Sequence, residues 1–186
     1  RIETGTYIIA AALTKGRLKI KNIDPKIMLT EIRLLHKMGV DILKKKNDII
    51  VSRSKKLKSI NVVTKPYPGF PTDLQAQIMV LLCRARKTSE IKEDIFENRF
   101  MHVHELQRLG ADIKLEGNTA ICEGKESLQG ATVMATDLRA SASLVIAGLV
   151  AKGETVIERI YHIDRGYECI EEKIALLGGS IRRVPS

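Results

Sequence analysis

Only 4% of the 186 residues are aromatic, and the three cysteines, Cys83, Cys122 and Cys169, stand far apart. The first shortage leaves few platforms on which nucleic-acid bases could stack. The odd, scattered cysteines exclude a disulfide scaffold, and the lack of any C-x-x-C spacing excludes a thiolate zinc site. All three are expected to be reduced thiols packed as small apolar groups. No apolar run reaches the roughly 18 residues of a membrane span. The longest, Leu144 to Ala151, is interrupted by Gly148. Neither a signal peptide nor an initiator methionine is present. The chain opens inside a pattern, at Arg1-Ile2-Glu3-Thr4-Gly5, and is expected to be a fragment.

What the chain does have is positive charge, +9 in net. Such a balance invites a nucleic-acid role, but its location argues otherwise. Residues 44–58 hold Lys44, Lys45, Lys46, Arg53, Lys55, Lys56 and Lys58 against Asp48 alone, six of the nine net charges. They surround Ile49-Ile50-Val51, a strand with polar ends. Lysines on a hairpin edge keep strands soluble and unpaired with neighbours. Nucleic acid is therefore disfavoured as a partner.

The chain also has an internal repeat. Thr72-Asp73-Leu74-Gln75-Ala76-Gln77 is echoed by Thr136-Asp137-Leu138-Arg139-Ala140-Ser141, each opening an apolar helix. Gly39-Val40-Asp41-Ile42, Gly110-Ala111-Asp112-Ile113 and Gly178-Gly179-Ser180-Ile181 close three copies about 70 residues apart, long enough for a full supersecondary unit. A second mark lies upstream of each: Gly16 to Ile20, Lys87 to Ile91, and Gly153 to Ile157. The unit reads helix, strand, helix, strand, strand. Three such units in one chain of this length predict one domain, residues 1–186, with three-fold pseudo-symmetry.

Helix boundaries follow from capping chemistry. Asp24-Pro25 places an acceptor before a proline at the first helical position. Ile27, Leu34, Leu35 and Met38 form the stripe, and Gly39 ends it as a left-handed cap. Asp164 is expected to cap Arg165 to Leu177, with Ile170, Ile174 and Leu177 inward. Asn98 would cap the middle equivalent, with Phe100, Val103, Leu106 and Leu109 inward and Gly110 terminating. The other helix of each unit is apolar all round: Tyr7 to Leu13, Leu74 to Leu82 with a Thr72–Gln75 capping box, and Leu138 to Val150. Such helices are normally buried, so these three should meet on the pseudo-axis.

That arrangement gathers helix N-termini, which favour anions. Arg139, Arg165 and Arg99 fall near helix starts, where a cation opposes the dipole unless an anion or carboxylate answers it. Together at matching ends of one unit they point to an anion site. Asp73 and Asp137 have an ordinary reading as helix-start acceptors; a base role for Asp73 would require burial or a neighbouring carboxylate. His102 and His104 lie two apart on a helix and point about 200° away from each other, so they cannot share a metal ion. No metal and no cofactor is called for.

Four stretches carry a resemblance: Pro68 to Gln77, Phe96-Glu97-Asn98-Arg99-Phe100-Met101-His102-Val103-His104-Glu105-Leu106, Ala135 to Ser143, and Tyr161-His162-Ile163-Asp164-Arg165-Gly166-Tyr167-Glu168. In order and spacing they resemble the UDP-N-acetylglucosamine 1-carboxyvinyltransferases of the enolpyruvyl transferase superfamily, along the whole chain. The resemblance implies an α+β fold, three βαβαββ-like repeats in an inside-out α/β barrel (an α-β prism). It also implies that residues 1–186 form the C-terminal domain, with the N-terminal domain absent. The catalytic cysteine of that family lies on a mobile loop of the missing domain, and none of the three cysteines here matches it. Arg84-Ala85-Arg86-Lys87 departs from the family, which has an acidic, glycine-bearing turn there.

Half a site carries over. Asp73 matches the aspartate that contacts the sugar hydroxyl and is the candidate base. Ile95 matches a position whose backbone touches the UDP-sugar. Arg139 and Arg165 match arginines facing phosphoenolpyruvate, with Arg99 and Asp137 as charged neighbours. The implied reaction moves the enolpyruvyl group to the sugar's 3-hydroxyl and releases phosphate, opening peptidoglycan synthesis in the bacterial cytoplasm. Partners are then UDP-N-acetylglucosamine, phosphoenolpyruvate and the missing domain, with no membrane. Two alternatives stand beside this: transfer to shikimate 3-phosphate, against which the Phe96 to Leu106 motif argues, and a non-enzymatic RNA-binding module on Lys44 to Lys58.

Overall fold

The computed structural model describes residues 1–52 and 56–185. Helix α1 (Ile2–Leu13) leads to strand β1 (Arg17–Lys21), a 3₁₀ turn over Pro25–Met28, helix α2 (Leu29–Lys37) and the strands β2 (Asp41–Lys44) and β3 (Asp48–Ser52). The second unit comprises β4 (Asn61–Val63), a 3₁₀ turn over Thr72–Leu74, α3 (Gln75–Leu82), β5 (Thr88–Lys92), α4 (Val103–Arg108), β6 (Asp112–Glu116) and β7 (Thr119–Glu123). The third has β8 (Leu128–Gln129), β9 (Thr132–Met134), α5 (Leu138–Gly148), β10 (Ala151–Lys152), β11 (Val156–Glu158), a 3₁₀ segment over Ile160–Arg165, and α6 (Ile170–Leu176). The helix–strand–helix–strand–strand order thus holds in the first two units. In the third it stops at α6, because residues 179–185 form no strand.

Two sheets repeat one plan. Their strand orders are β1-β3-β2 and β4-β5-β7-β6, so each hairpin's return strand inserts beside the strand that follows the inner helix. β4 runs parallel to β5 across α3, as β9 does to β11 across α5. The links between units match too. Lys58 N donates to Met38 O at 2.9 Å and Gln129 N to Leu109 O at 2.8 Å, each one residue before a closing glycine. Those glycines, Gly39 at φ +92° and Gly110 at φ +86°, adopt the left-handed conformation that ends a helix without a Cβ penalty.

Three of the helices form the centre of the fold. α1, α3 and α5 pack against one another, and every residue of α3 is buried. All-round apolarity leaves such a helix no solvent side, which is why it sits on the axis. Polar groups there must be answered within the protein. Ser141 and Ser143 of α5 turn back onto the carbonyls of Asp137 and Ala140 at 2.7 and 2.8 Å. Thr6 of α1 and Tyr167 share a hydrogen bond of 2.6 Å, and the Gln77 amide of α3 donates to both.

Several expected details differ. The Thr72–Gln75 capping box does not form: the Leu74 cap of α3 has no side-chain bond, and both Thr72 and Gln75 donate to Glu93 instead. The tight 3₁₀ entry at residues 72–74 turns those side chains away from the helix. Asp24 does accept from Lys26 N at 2.9 Å, but the turn it caps is 3₁₀ and precedes α2. Ile27 is exposed, and Met28, Ile32, Leu35 and Met38 form the buried stripe. Asn98 precedes α4 by five residues in a left-handed conformation and caps nothing. Asp164 sits within a 3₁₀ segment and pairs with Arg183, while Cys169 is the cap position of α6. Ile170 and Ile174 point inward, but Leu177 is exposed. Cys83 and Cys122 are buried as foreseen; Cys169 is exposed. Of the basic stretch, Lys44–Lys46, Lys56 and Lys58 are exposed, whereas Arg53 and Lys55 lie outside the described residues.

Candidate active site

The sequence places Asp73 and Asp137 at equivalent helix starts of two units, and the fold turns those starts toward each other. Their chemistry then diverges. Asp137 is a true cap: its carboxylate accepts from Arg139 N at 2.8 Å and Ala140 N at 2.9 Å. Asp73 caps nothing. Its Oδ1 accepts from Arg139 Nε at 2.7 Å, and Arg139 Nη2 donates to the same oxygen. A cation in the first turn of α5 is thereby answered by a carboxylate from another unit, 66 residues away. Both side chains remain partly exposed, 34% for Arg139 and 43% for Asp73, so the pair stands at a rim open to a ligand.

Arg99 closes the near side. Its guanidinium stacks 4.2 Å above the Phe96 ring, its carbonyl accepts from Gln75 Nε2 at 3.3 Å, and its Nη1 is buried without a partner among the described residues. It does not lie at a helix start, contrary to the expectation from spacing, and among the described residues it forms no ion pair. Arg99 and Arg139, with Thr72, Gln75, Asp137 and His102, line a cavity of about 30 Å³. From Arg99 the surface opens into a groove of about 1010 Å³, whose wall includes Ile95, Phe96, Asn98, Phe100 and Asn118.

Arg165 is placed less directly. It ends the 3₁₀ segment before α6 and is exposed, so it is not in the first turn of an outer helix. The next residue, Gly166, presses on the start of α5: a Cβ there would lie 2.8 Å from Leu138 Cδ2. That approach sets the Arg165 segment against Leu138, the residue preceding Arg139. Asp73 and Arg139 are in contact, and the Arg165 segment runs beside the residue that precedes Arg139.

His102 and His104 do point apart, the first 3% exposed and the second on the surface. Burial depresses the His102 imidazole from 6.5 to about 4, with the Asp137 charge acting weakly the other way. Among the described residues its Nε2 has no partner.

One central residue carries no motif. Glu93 is 3% exposed and accepts hydrogen bonds from both sides of the site. Its Oε1 receives Thr64 Oγ1 at 2.8 Å, Ile95 N at 3.1 Å and Phe96 N at 3.3 Å. Its Oε2 receives Thr72 Oγ1 at 2.9 Å and Gln75 Nε2 at 3.4 Å. The only sequence signal is alternation: Ser89, Ile91 and Glu93 fall successively on the buried face of β5 and its extension.

A family model described as EPSP synthase (3-phosphoshikimate 1-carboxyvinyltransferase) matches residues 1–174. The chain belongs to this enolpyruvyl transferase family. Within it, the UDP-N-acetylglucosamine 1-carboxyvinyltransferase of Pelagibacter ubique (strain HTCC1062) is 62% identical over 184 residues, 99% of this chain and 44% of that protein. The namesake of Coxiella burnetii (strain Dugway 5J108-111) is 55% identical over 187 residues, 100% of this chain and 43% of its own length. The chain thus spans less than half the length of the curated relatives it matches. Among solved structures, the enolpyruvyl transferase NikO from Streptomyces tendae superposes with a TM-score of 0.88 at 29% identity, over 97% of this chain and 43% of that one. EPSP synthase from Acinetobacter baumannii gives 0.80 at 19% identity, over 100% and 46%, and shows the fold alone.

Proposed function

We propose that this chain is the C-terminal domain, and supplies half the active site, of an enzyme that transfers the enolpyruvyl group of phosphoenolpyruvate to the 3-hydroxyl of UDP-N-acetylglucosamine. The observation that carries this is the meeting of Asp73 and Arg139 from equivalent helix starts, beside a groove of nucleotide-sugar size. The identity of 62% to a protein named for that acceptor favours it over shikimate 3-phosphate. The other domain completes the pocket and brings the remaining catalytic groups.

Each residue then has a task. Asp73 accepts or orients the proton of the attacking hydroxyl. The hydroxyl oxygen bonds to C2 of phosphoenolpyruvate while C3 gains a proton, giving a tetrahedral adduct. Loss of phosphate and of a C3 proton restores the double bond on the sugar ether. Arg139 and Arg165 hold the carboxylate and phosphate of phosphoenolpyruvate, since a planar guanidinium binds such anions through two parallel N–H bonds. Arg99 and Asp137 shape that pocket, and the Ile95 backbone meets the sugar nucleotide in the groove. Arg139 and Asp73 satisfy each other. Substrates replace that contact, the anion taking the guanidinium and the hydroxyl taking the carboxylate. The substrates are soluble cytoplasmic metabolites, and no helix among the described residues is long and apolar enough to cross a membrane.

The test uses the full-length protein and phosphate release. Asp73→Asn is expected to lower turnover with UDP-N-acetylglucosamine by about 10²–10⁴-fold, the range for losing a positioned acid–base group, with an unchanged melting temperature. Turnover near that of the parent removes Asp73 from the chemistry. Turnover by the parent with shikimate 3-phosphate, and none with the amino sugar, replaces the acceptor.

A further inference from the structure

We propose that Glu93 is a positioning residue that locks the acceptor-binding strap, residues 94–98, to the turn bearing Asp73; the inference rests on the function proposed above. The strap follows β5 and forms the groove wall. Thr72, which precedes Asp73, opens the 3₁₀ turn into α3. These two stretches come from opposite ends of a helix–strand connection, and the Glu93 carboxylate spans them with one oxygen toward each. Oε1 gathers the consecutive backbone amides of Ile95 and Phe96, fixing the strap's path. Oε2 gathers Thr72 and Gln75, fixing the turn and the first residue of α3.

Further bonds stiffen the same junction. Asp94 N donates to Thr64 Oγ1 at 3.0 Å, and Thr64 Oγ1 itself donates to Glu93. Asn118, from the turn between β6 and β7, donates through its amide to Glu93 O at 3.2 Å and Asp94 Oδ1 at 3.1 Å. Among the described residues Glu93 forms no ion pair, so its charge is answered by five neutral donors alone. Burying an ionised carboxylate without a cation is costly unless its lone pairs are filled. Here they are filled by groups from the two elements whose separation sets the distance between the base and the sugar.

The chemistry at this position calls for an acid. An amide at 93 has one acceptor oxygen where five donors converge. Turned so that its oxygen serves Thr64, Ile95 and Phe96, it preserves the strap and presents N–H to Thr72, whose hydroxyl can reverse, and to the Gln75 amide. Glu93→Gln therefore keeps one half of the tether and weakens the other. Glu93→Ala removes both.

The experiment uses full-length enzyme, with initial rates against each substrate and amide exchange at residues 94–98 in the absence of ligand. Glu93→Ala is expected to lose on the order of 100-fold in kcat/KM for UDP-N-acetylglucosamine, the effect of about 1 Å of misplacement, while KM for phosphoenolpyruvate stays within about twofold. Exchange at Ile95 and Phe96 rises in Glu93→Ala and stays near parental in Glu93→Gln. A Glu93→Ala enzyme with parental sugar kinetics and parental exchange overturns the proposal, as does an equal weakening of both substrates. Should the alanine variant fail to fold, Glu93→Gln and Thr72→Val decide: both lower kcat while exchange at Ile95 and Phe96 is retained, and parental kcat in both is refuting. Exchange does not depend on the reaction, so an enzyme inactive with UDP-N-acetylglucosamine refutes the functional reading, while loss of strap protection in Glu93→Ala still supports the tether.

Discussion

Acidification should expose the buried imidazole of His102. The residue is buried, its Nε2 has no hydrogen-bond partner among the described residues, and it lines a cavity together with Asp137, Arg139 and Arg99. Burial holds its pKa at about 4, against 6.5 for a free imidazole. Above pH 6.5 the ring is neutral in both folded and unfolded chains and leaves stability unaffected. Between pH 6.5 and 4 the unfolded chain takes up the proton and the folded one does not, so stability falls as pH falls. Below about 4 both are charged and the loss levels off. At 1.36 kcal/mol per pKa unit the total is roughly 3 kcal/mol. Urea unfolding of the full-length protein and of His102→Leu at several pH values between 7 and 4 isolates this term, because the carboxylates titrate alike in both. The difference between the two should grow to roughly 3 kcal/mol in favour of the variant by pH 4. A constant difference across that range would falsify the reasoning, and so would a His102 ring resonance titrating near 6.5.

Two further perturbations follow from packing. A Cβ at Gly130 would lie 2.2 Å from the carbonyl oxygen of Glu154, and Gly130 N donates to Lys152 O at 2.7 Å, so neither strand connection has room to yield. Gly130→Ala should cost about 1–3 kcal/mol, as overpacking does, seen as a melting temperature lower by several degrees in calorimetry; an unchanged value would show that the loop gives way. Arg1 Nε meets Glu31 at 2.7 Å, with side chains 18% and 3% exposed. Arg1→Ala strands a buried carboxylate at a cost of about 3–5 kcal/mol, somewhat less here because Arg1 keeps some solvent. Adding Glu31→Leu should restore most of that stability in denaturant titration, and no recovery in the double variant would refute the pairing.

Some of the site was legible in the residues and some was not. The repeated Thr-Asp-Leu pointed to two equivalent helix starts, and both are present. It could not distinguish the capping Asp137 from the uncapping Asp73, because that depends on whether the turn after the aspartate is α or 3₁₀. Arg139 does lie in the first turn of α5, where an anion or a carboxylate had been expected to answer it, and the answering group is the carboxylate of Asp73. Arg99 and Arg165 were assigned to helix starts by spacing, but Arg99 lies in an irregular stretch and Arg165 at the end of a 3₁₀ segment, conformations that no α-helical periodicity encodes. Glu93 left only an alternation of buried positions, a pattern that reads equally well as a strand continuing one residue further.

Sequence alone pointed to a repeated unit, to the three buried helices and to the glycines that end the outer ones. These are local matters: an apolar residue on every face removes the solvent side of a helix, and a positive φ selects glycine. Sequence also carried family membership, through motifs whose order survives along the chain. Tertiary structure decided which charges meet. Asp73 and Arg139 lie 66 residues apart, and their contact depends on the rotation of one unit against another. So do the five donors around Glu93, the exchange of Asp164 from a helix cap to a partner for Arg183, and the burial of His102 beside an exposed His104. Long polar side chains reach whatever the packing brings within range, and only the assembled units fix what that is.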